Sequence, residues 1–103
     1  MAVKPRTGLG IEDVIGDKRE NVLRLAEKHG AHNVRVFGSV ARGEARPDSD
    51  IDFLVDGLEN CAWGGGGLLM DLQALLGRRV DLVSEGDLHR MIRRQILEEA
   101  VPL

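Results

Sequence analysis

Between Ile11 and His29 the apolar residues Ile11, Val14, Ile15, Val22, Leu25 and Ala26 fall at helical spacing, which predicts one amphipathic helix stopped by Gly30. Asn33–Phe37 (NVRVF) then takes the habit of a strand and ends at Gly38. Ile51–Val55 (IDFLV) predicts a second strand and Arg79–Val83 (RVDLV) a third. Between these two, Asn60–Gly67 (NCAWGGGG) reads as a flexible loop, and Leu68–Gly77 as a helix closed by Gly77. Leu88, Met91, Ile92, Ile96 and Ala100 stripe a last helix that Pro102 ends. The order is α-β-turn-β-α-β-α. A helix in the crossover between the second and third strands makes those strands parallel neighbours. The pattern therefore predicts an α/β fold: a mixed three-stranded sheet with helices on one face and an open acidic face on the other. One domain spans residues 1–103.

Composition narrows the function classes. A chain of 103 residues can bury roughly 65% of its unfolded surface around one core. Phe37, Phe53 and Trp63 are its only aromatic residues, so Leu, Val and Ile must build that core. A net charge of -3 argues against direct nucleic-acid binding through a basic surface. No apolar run approaches the roughly 20 residues of a membrane span, and MAVKPRTGLG lacks a signal-peptide core. Cys61 alone supports neither an internal disulfide nor a zinc cluster. These features fit a cytoplasmic protein with no membrane partner.

The chemistry concentrates in VFGSVARGEARPDSDIDFLVD, Val36–Asp56. Gly38 and Gly43 have the glycine spacing of a P-loop, but Glu44 and Ala45 stand where its Lys and Ser or Thr must be. Asp48, Asp50, Asp52 and Glu59 sit at calcium-loop positions, yet Phe53 replaces the glycine that makes that loop turn. A metal-dependent nucleotidyl-transfer site accounts for more of the segment. Asp50 and Asp52, two apart on a strand, share a face, while Ile51, Phe53 and Val55 face helices on the other side. Paired carboxylates repel unless a cation lies between them, and Mg²⁺ or Mn²⁺ takes carboxylate and phosphate oxygens. Asp81, flanked by Val80 and Leu82 on a parallel neighbour, can join them. Gly38 and Ser39 offer a close backbone approach and a hydroxyl to phosphate oxygens.

The motif GS, then DSDID, then RRVDLV resembles the DNA polymerase beta-like nucleotidyltransferase superfamily, and the closeness of VRVFGSVARGEARPDSDIDFLV points to its minimal nucleotidyltransferase branch. That branch is similar to the antitoxin half of HEPN–MNT toxin–antitoxin pairs. The resemblance covers most of the chain. It implies that Gly38 and Ser39 contact phosphate, that Asp50 and Asp52 bind two metal ions, and that Asp81 holds the ion activating the attacking hydroxyl. It further implies a Mg²⁺-dependent protein adenylyltransferase that moves AMP from ATP to a tyrosine of a partner HEPN toxin ribonuclease, silencing it within a hetero-oligomer. The glycine-rich ENCAWGGGG departs from the family pattern.

Other residues admit blander roles. Arg42 and Arg46 could meet triphosphate charge or simply be solvated, and Arg42 is retained as a nucleotide-binding candidate. Asp48 could orient the loop, and Ser39 could cap a short SVAR turn. His29, His32 and His89 lack metal-site spacing and read as surface residues. Arg90, Arg93 and Arg94 read as the solvent face of the last helix, and Cys61 with Trp63 as a candidate interface. Two rival functions remain: a noncatalytic antitoxin that acts by binding, and an antibiotic-modifying nucleotidyltransferase, for which no chain is left to hold the acceptor.

Overall fold

The computed structural model describes residues 7–103. Met1–Arg6, where the missing signal-peptide core was read, lie outside the described residues. Helix α1 (Ile11–Val14) and helix α2 (Arg19–His29) replace the single helix expected from Ile11 to His29. Gly16, at φ +51°, makes the break, since a left-handed residue cannot continue a right-handed helix. Strand β1 (His32–Phe37) runs into the short helix α3 (Gly38–Arg42). Strand β2 (Ile51–Asp56), helix α4 (Gly66–Leu76) and strand β3 (Val80–Val83) form the expected crossover, with β2 and β3 parallel. Asn60–Gly67 is not a featureless loop. It folds as 3₁₀ turns over Leu58–Asn60 and Ala62–Gly65, and its last two glycines begin α4.

Val34, Val36, Ile51, Phe53, Val55 and Val80 turn to one face of the sheet, where Val22 and Ala26 of α2 and Leu68, Leu72 and Leu76 of α4 cover them. Burial of a large apolar side chain contributes about 1.5–3 kcal/mol. Three such residues in alternation lock the phase of β2, and with it the direction of Asp52. A one-residue slip would bury the carboxylate instead.

The chain end departs from expectation. Helix α5 (Arg90–Glu99) excludes Leu88 and Ala100 and fully buries none of its residues; of the predicted apolar stripe, Met91 and Ile92 are exposed while Leu88, Ile96 and Ala100 are half-buried. The helix stops before Pro102, and Val101–Pro102 forms a fourth strand, β4, antiparallel to β1. The sheet order is β3-β2-β1-β4. Proline suits that position because an edge strand does not need every N–H.

The second face of the sheet is only half open. Leu54 points there and is fully buried. The turn Glu85–Asp87 packs against β2. Arg35, in register with Leu54, bonds Asp56 at 2.9 Å and approaches Glu85 at 3.9 Å. Glu85 in turn takes Arg93 of α5 at 2.6 Å. An apolar residue on an otherwise polar face needs such a cover. At this end of the face the carboxylates of Asp56 and Glu85 are thus paired with arginines.

Candidate active site

The register brings the site together. Asp52 on β2 stands opposite Asp81 on β3, and on its other side opposite Phe37, the last residue of β1. Gly38 follows at φ +73°, and a Cβ built there would collide with Asp52 Oδ2. Only glycine lets the β1–α3 turn pass this close to the carboxylate. Ser39 lies inside α3 and is not its cap. The capping position is Phe37, with no side-chain bond.

Asp50 is placed differently. Just ahead of β2, its carboxylate pairs with Arg79 at 3.2 Å and is 46% exposed. Among the described residues, no three His, Cys, Asp or Glu side chains stand close enough to hold a metal ion as placed. The donor chemistry nevertheless fits a divalent cation. Half-burial pushes the Asp52 carboxyl up to about 6, and the charges of Asp81 and Asp50 add to the effect, while Arg42 opposes it. Oxygen donors crowded until one resists ionising are what a hard cation would relieve. Asp50 would complete such a set only by leaving Arg79, an exposed partner of small energetic worth.

Arg42, on the last turn of α3, is held by two carboxylates. Its Nε donates to Glu44 at 3.0 Å, and one terminal nitrogen donates to both oxygens of Glu99 at 3.0 Å. Those bonds raise its already high pKa, Glu44 contributing most. Glu99 also accepts from the Gly38 N–H. Beside Arg42 opens a groove of about 340 Å³ lined by Ile11, Glu12, Ala41, Arg42 and Val101. Glu99, Glu44 and Arg79 were not singled out from the sequence. Glu99 lies 61 positions from Gly38, and no periodicity reports a contact made by chain return.

The remaining candidates are accounted for locally. Arg46 and Ser49 close a small turn, the Arg46 N–H donating to Ser49 Oγ at 2.8 Å, while Arg78 donates to the Arg46 carbonyl at 3.1 Å. His29 is not a free surface residue but pairs with Asp71 of α4 at 2.8 Å. His89 caps α5 by accepting from the Met91 N–H at 3.1 Å. Cys61 is buried and therefore not part of an exposed interface, whereas Trp63 is 94% exposed.

With this geometry in place, the sequence matches the model of the nucleotidyltransferase domain over residues 19–103. The chain belongs to that family. It is 39% identical over 94 residues to the protein adenylyltransferase MntA of Thermococcus cleftensis, covering 90% of this nucleotidyltransferase and 95% of the relative. A solved structure described as a minimal nucleotidyltransferase superposes with a TM-score of 0.78 at 50% identity, over 92% of this chain and 97% of the other. A toxin–antitoxin crystal structure with AMP-PNP superposes with a TM-score of 0.67, over 81% of this chain and 69% of the other, and at 23% identity it speaks to the fold alone. The minimal nucleotidyltransferase fold read from the sequence is the observed one, with β4 added at its edge.

Proposed function

We propose that this nucleotidyltransferase is an antitoxin that moves AMP from ATP to a hydroxyl, a tyrosine in our reading, of a partner HEPN toxin ribonuclease and so neutralises it. The observation carrying the proposal is the register of Asp52 against Asp81 beside the side-chain-free Gly38. The name of the Thermococcus relative, protein adenylyltransferase, supports the reaction type. The toxin–antitoxin structure that superposes on this chain supports the fold on which such a reaction would be built.

In the reaction, the acceptor oxygen forms a bond to the α-phosphorus while the bond to the bridging oxygen of pyrophosphate breaks. The hydroxyl proton leaves to solvent or a neighbouring base. Divalent ions held by Asp50, Asp52 and Asp81 would supply charge neutralisation on the triphosphate and a lowered pKa for the attacking hydroxyl. The chain's own part is positional. Gly38 lets backbone approach phosphate oxygens, Ser39 offers a hydroxyl, and Arg42 offers a guanidinium fork once its carboxylate partners yield. The ladder between β2 and β3 fixes Asp52 and Asp81 so that attack and departure can lie in line.

A second reading has two observations in its favour. Asp50 turned to Arg79 and Arg42 engaged by Glu99 also suit an antitoxin that only binds its toxin. Asp81→Asn separates the two readings. The amide keeps the shape and removes the charge, so toxin binding should survive while transfer falls on the order of 10²-fold or more. Incubating the toxin pair with Mg²⁺ and ATP labelled at the α-phosphate, with intact mass of each chain, measures transfer. A growth-rescue assay measures neutralisation. Full rescue without transfer would establish binding as the mechanism. Transfer at the wild-type rate would remove Asp81 from the site.

A further inference from the structure

The Glu99 carboxylate sits among donors suited to an external anion. It accepts from the Gly38 N–H and takes Arg42 with both oxygens. Its side chain is only 16% exposed, in a helix with no fully buried residue. Its negative charge also bears unfavourably on Asp52, so the placement adds to the acidic crowd rather than relieving it. A carboxylate and a phosphate ask for the same partners: backbone N–H groups and a guanidinium fork.

We propose that Glu99 is an internal stand-in for a nucleotide phosphate, closing the Gly38–Arg42 cradle in the free protein until a triphosphate displaces it. The proposal rests on the nucleotidyltransferase reading above. The element carrying Glu99 is built to release. Helix α5 fully buries no residue, and β4 pairs over only Val101 and Pro102, backed by the Leu103 N–H donating to the Val34 carbonyl at 3.0 Å and by the half-buried Leu103 side chain against the core. The ion pair of Arg93 with Glu85 is its anchor away from the cradle. Val101 lines the groove beside Arg42, so release of the same arm also widens that groove. Nucleotide binding and the position of the chain end are thereby coupled, and apparent affinity is lowered by the fraction of molecules in which the arm is closed.

The test titrates Mg²⁺–ATP into the full chain by calorimetry for wild type, Glu99→Gln and Arg93→Ala, and follows hydrogen exchange over residues 90–103. Glu99→Gln should tighten binding by about tenfold through loss of the competing charge. Arg93→Ala leaves the cradle untouched and should tighten it about two- to threefold by loosening the arm. ATP should accelerate exchange over residues 90–103 in wild type. Equal or weaker binding by both variants, with exchange unchanged on ATP addition, overturns the proposal while nucleotide binding stands. It would make Glu99 a structural latch or a support for Arg42. ATP binding to none of the three proteins overturns this proposal and the functional reading together. If Glu99→Gln fails to fold, Arg93→Ala and the exchange measurement decide.

Discussion

Replacing Asp52 by asparagine should make the metal-free protein more stable at neutral pH, although it removes a residue the proposed reaction requires. The half-buried carboxyl, beside Asp81 and Asp50, is pushed from 3.8 to about 6. Between these two values the folded chain holds a proton that the unfolded chain has lost, so stability from this group is present below about pH 4 and drains away as pH rises through 6. A proton affinity raised roughly a hundredfold corresponds to about 3 kcal/mol at most. Asp52 keeps substantial contact with water, which screens the interaction, and about 1 kcal/mol is a sounder expectation. In a domain of this size that is a rise in Tm of about 4–8 °C. Thermal unfolding in EDTA at pH 7.5 and 4.5 measures it. The asparagine variant should melt higher at pH 7.5, its advantage should be smaller at pH 4.5, where folded wild-type Asp52 holds the proton, and it should vanish only below about pH 4, where the unfolded chain holds it too. An advantage of equal size at both pH values, or a loss at pH 7.5, would refute electrostatic crowding at Asp52.

Two further outcomes follow from the same geometry. Mg²⁺ with ATP should raise the wild-type Tm more than either alone, by the equivalent of about 2.7 kcal/mol at a hundred times Kd, and Asp52→Asn should lose most of that gain; a melting curve indifferent to both ligands at millimolar concentration would remove the metal site. Gly38→Ala should destabilise the fold by about 1–3 kcal/mol, because it forces a positive φ on alanine and drives its Cβ into Asp52. An unchanged Tm would show that the β1–α3 turn does not pass as close to Asp52 as described.

What the sequence made legible is what local periodicity encodes. Alternation in IDFLV set the phase of β2, and the helix between β2 and β3 required them to be parallel; from those two facts a shared face for Asp52 and Asp81 follows, while their direct pairing is set by the register the structure shows. Interactions closed by chain return were not legible. Nothing in EEAVPL announces that Val101 and Pro102 will pair with β1, and a helix-spaced stripe ending in proline reads as a helix that stops there. The break at Gly16 was hidden because glycine is tolerated within a helical pattern until its φ is known. Leu54 misled in another way. It fits a buried strand, yet its parity places it on the face expected to be open, and the fold answers with Arg35 beside it and the Glu85–Asp87 turn packed against β2, the two joined by an ion pair.

That cover links the two ends of the argument. Arg93 fastens α5 to the turn over Leu54, and α5 ends at Glu99, which closes the cradle at Gly38 and Arg42. The residues that complete the sheet's second face therefore also govern access to the candidate site. Asp52 and Asp81 are fixed by the ladder of β2 and β3 and cannot move far without unpairing the sheet. The chain end is fixed by a two-residue strand, the half-buried Leu103, the pair of Glu99 with Arg42 and the exposed pair of Arg93 with Glu85, the last worth about 1 kcal/mol or less. Of the two, the chain end is the part that can yield to a ligand. A catalytic centre built this way keeps its acidic residues preorganised and places its adjustable element on the phosphate side, where an incoming triphosphate brings the charge needed to compete with Glu99.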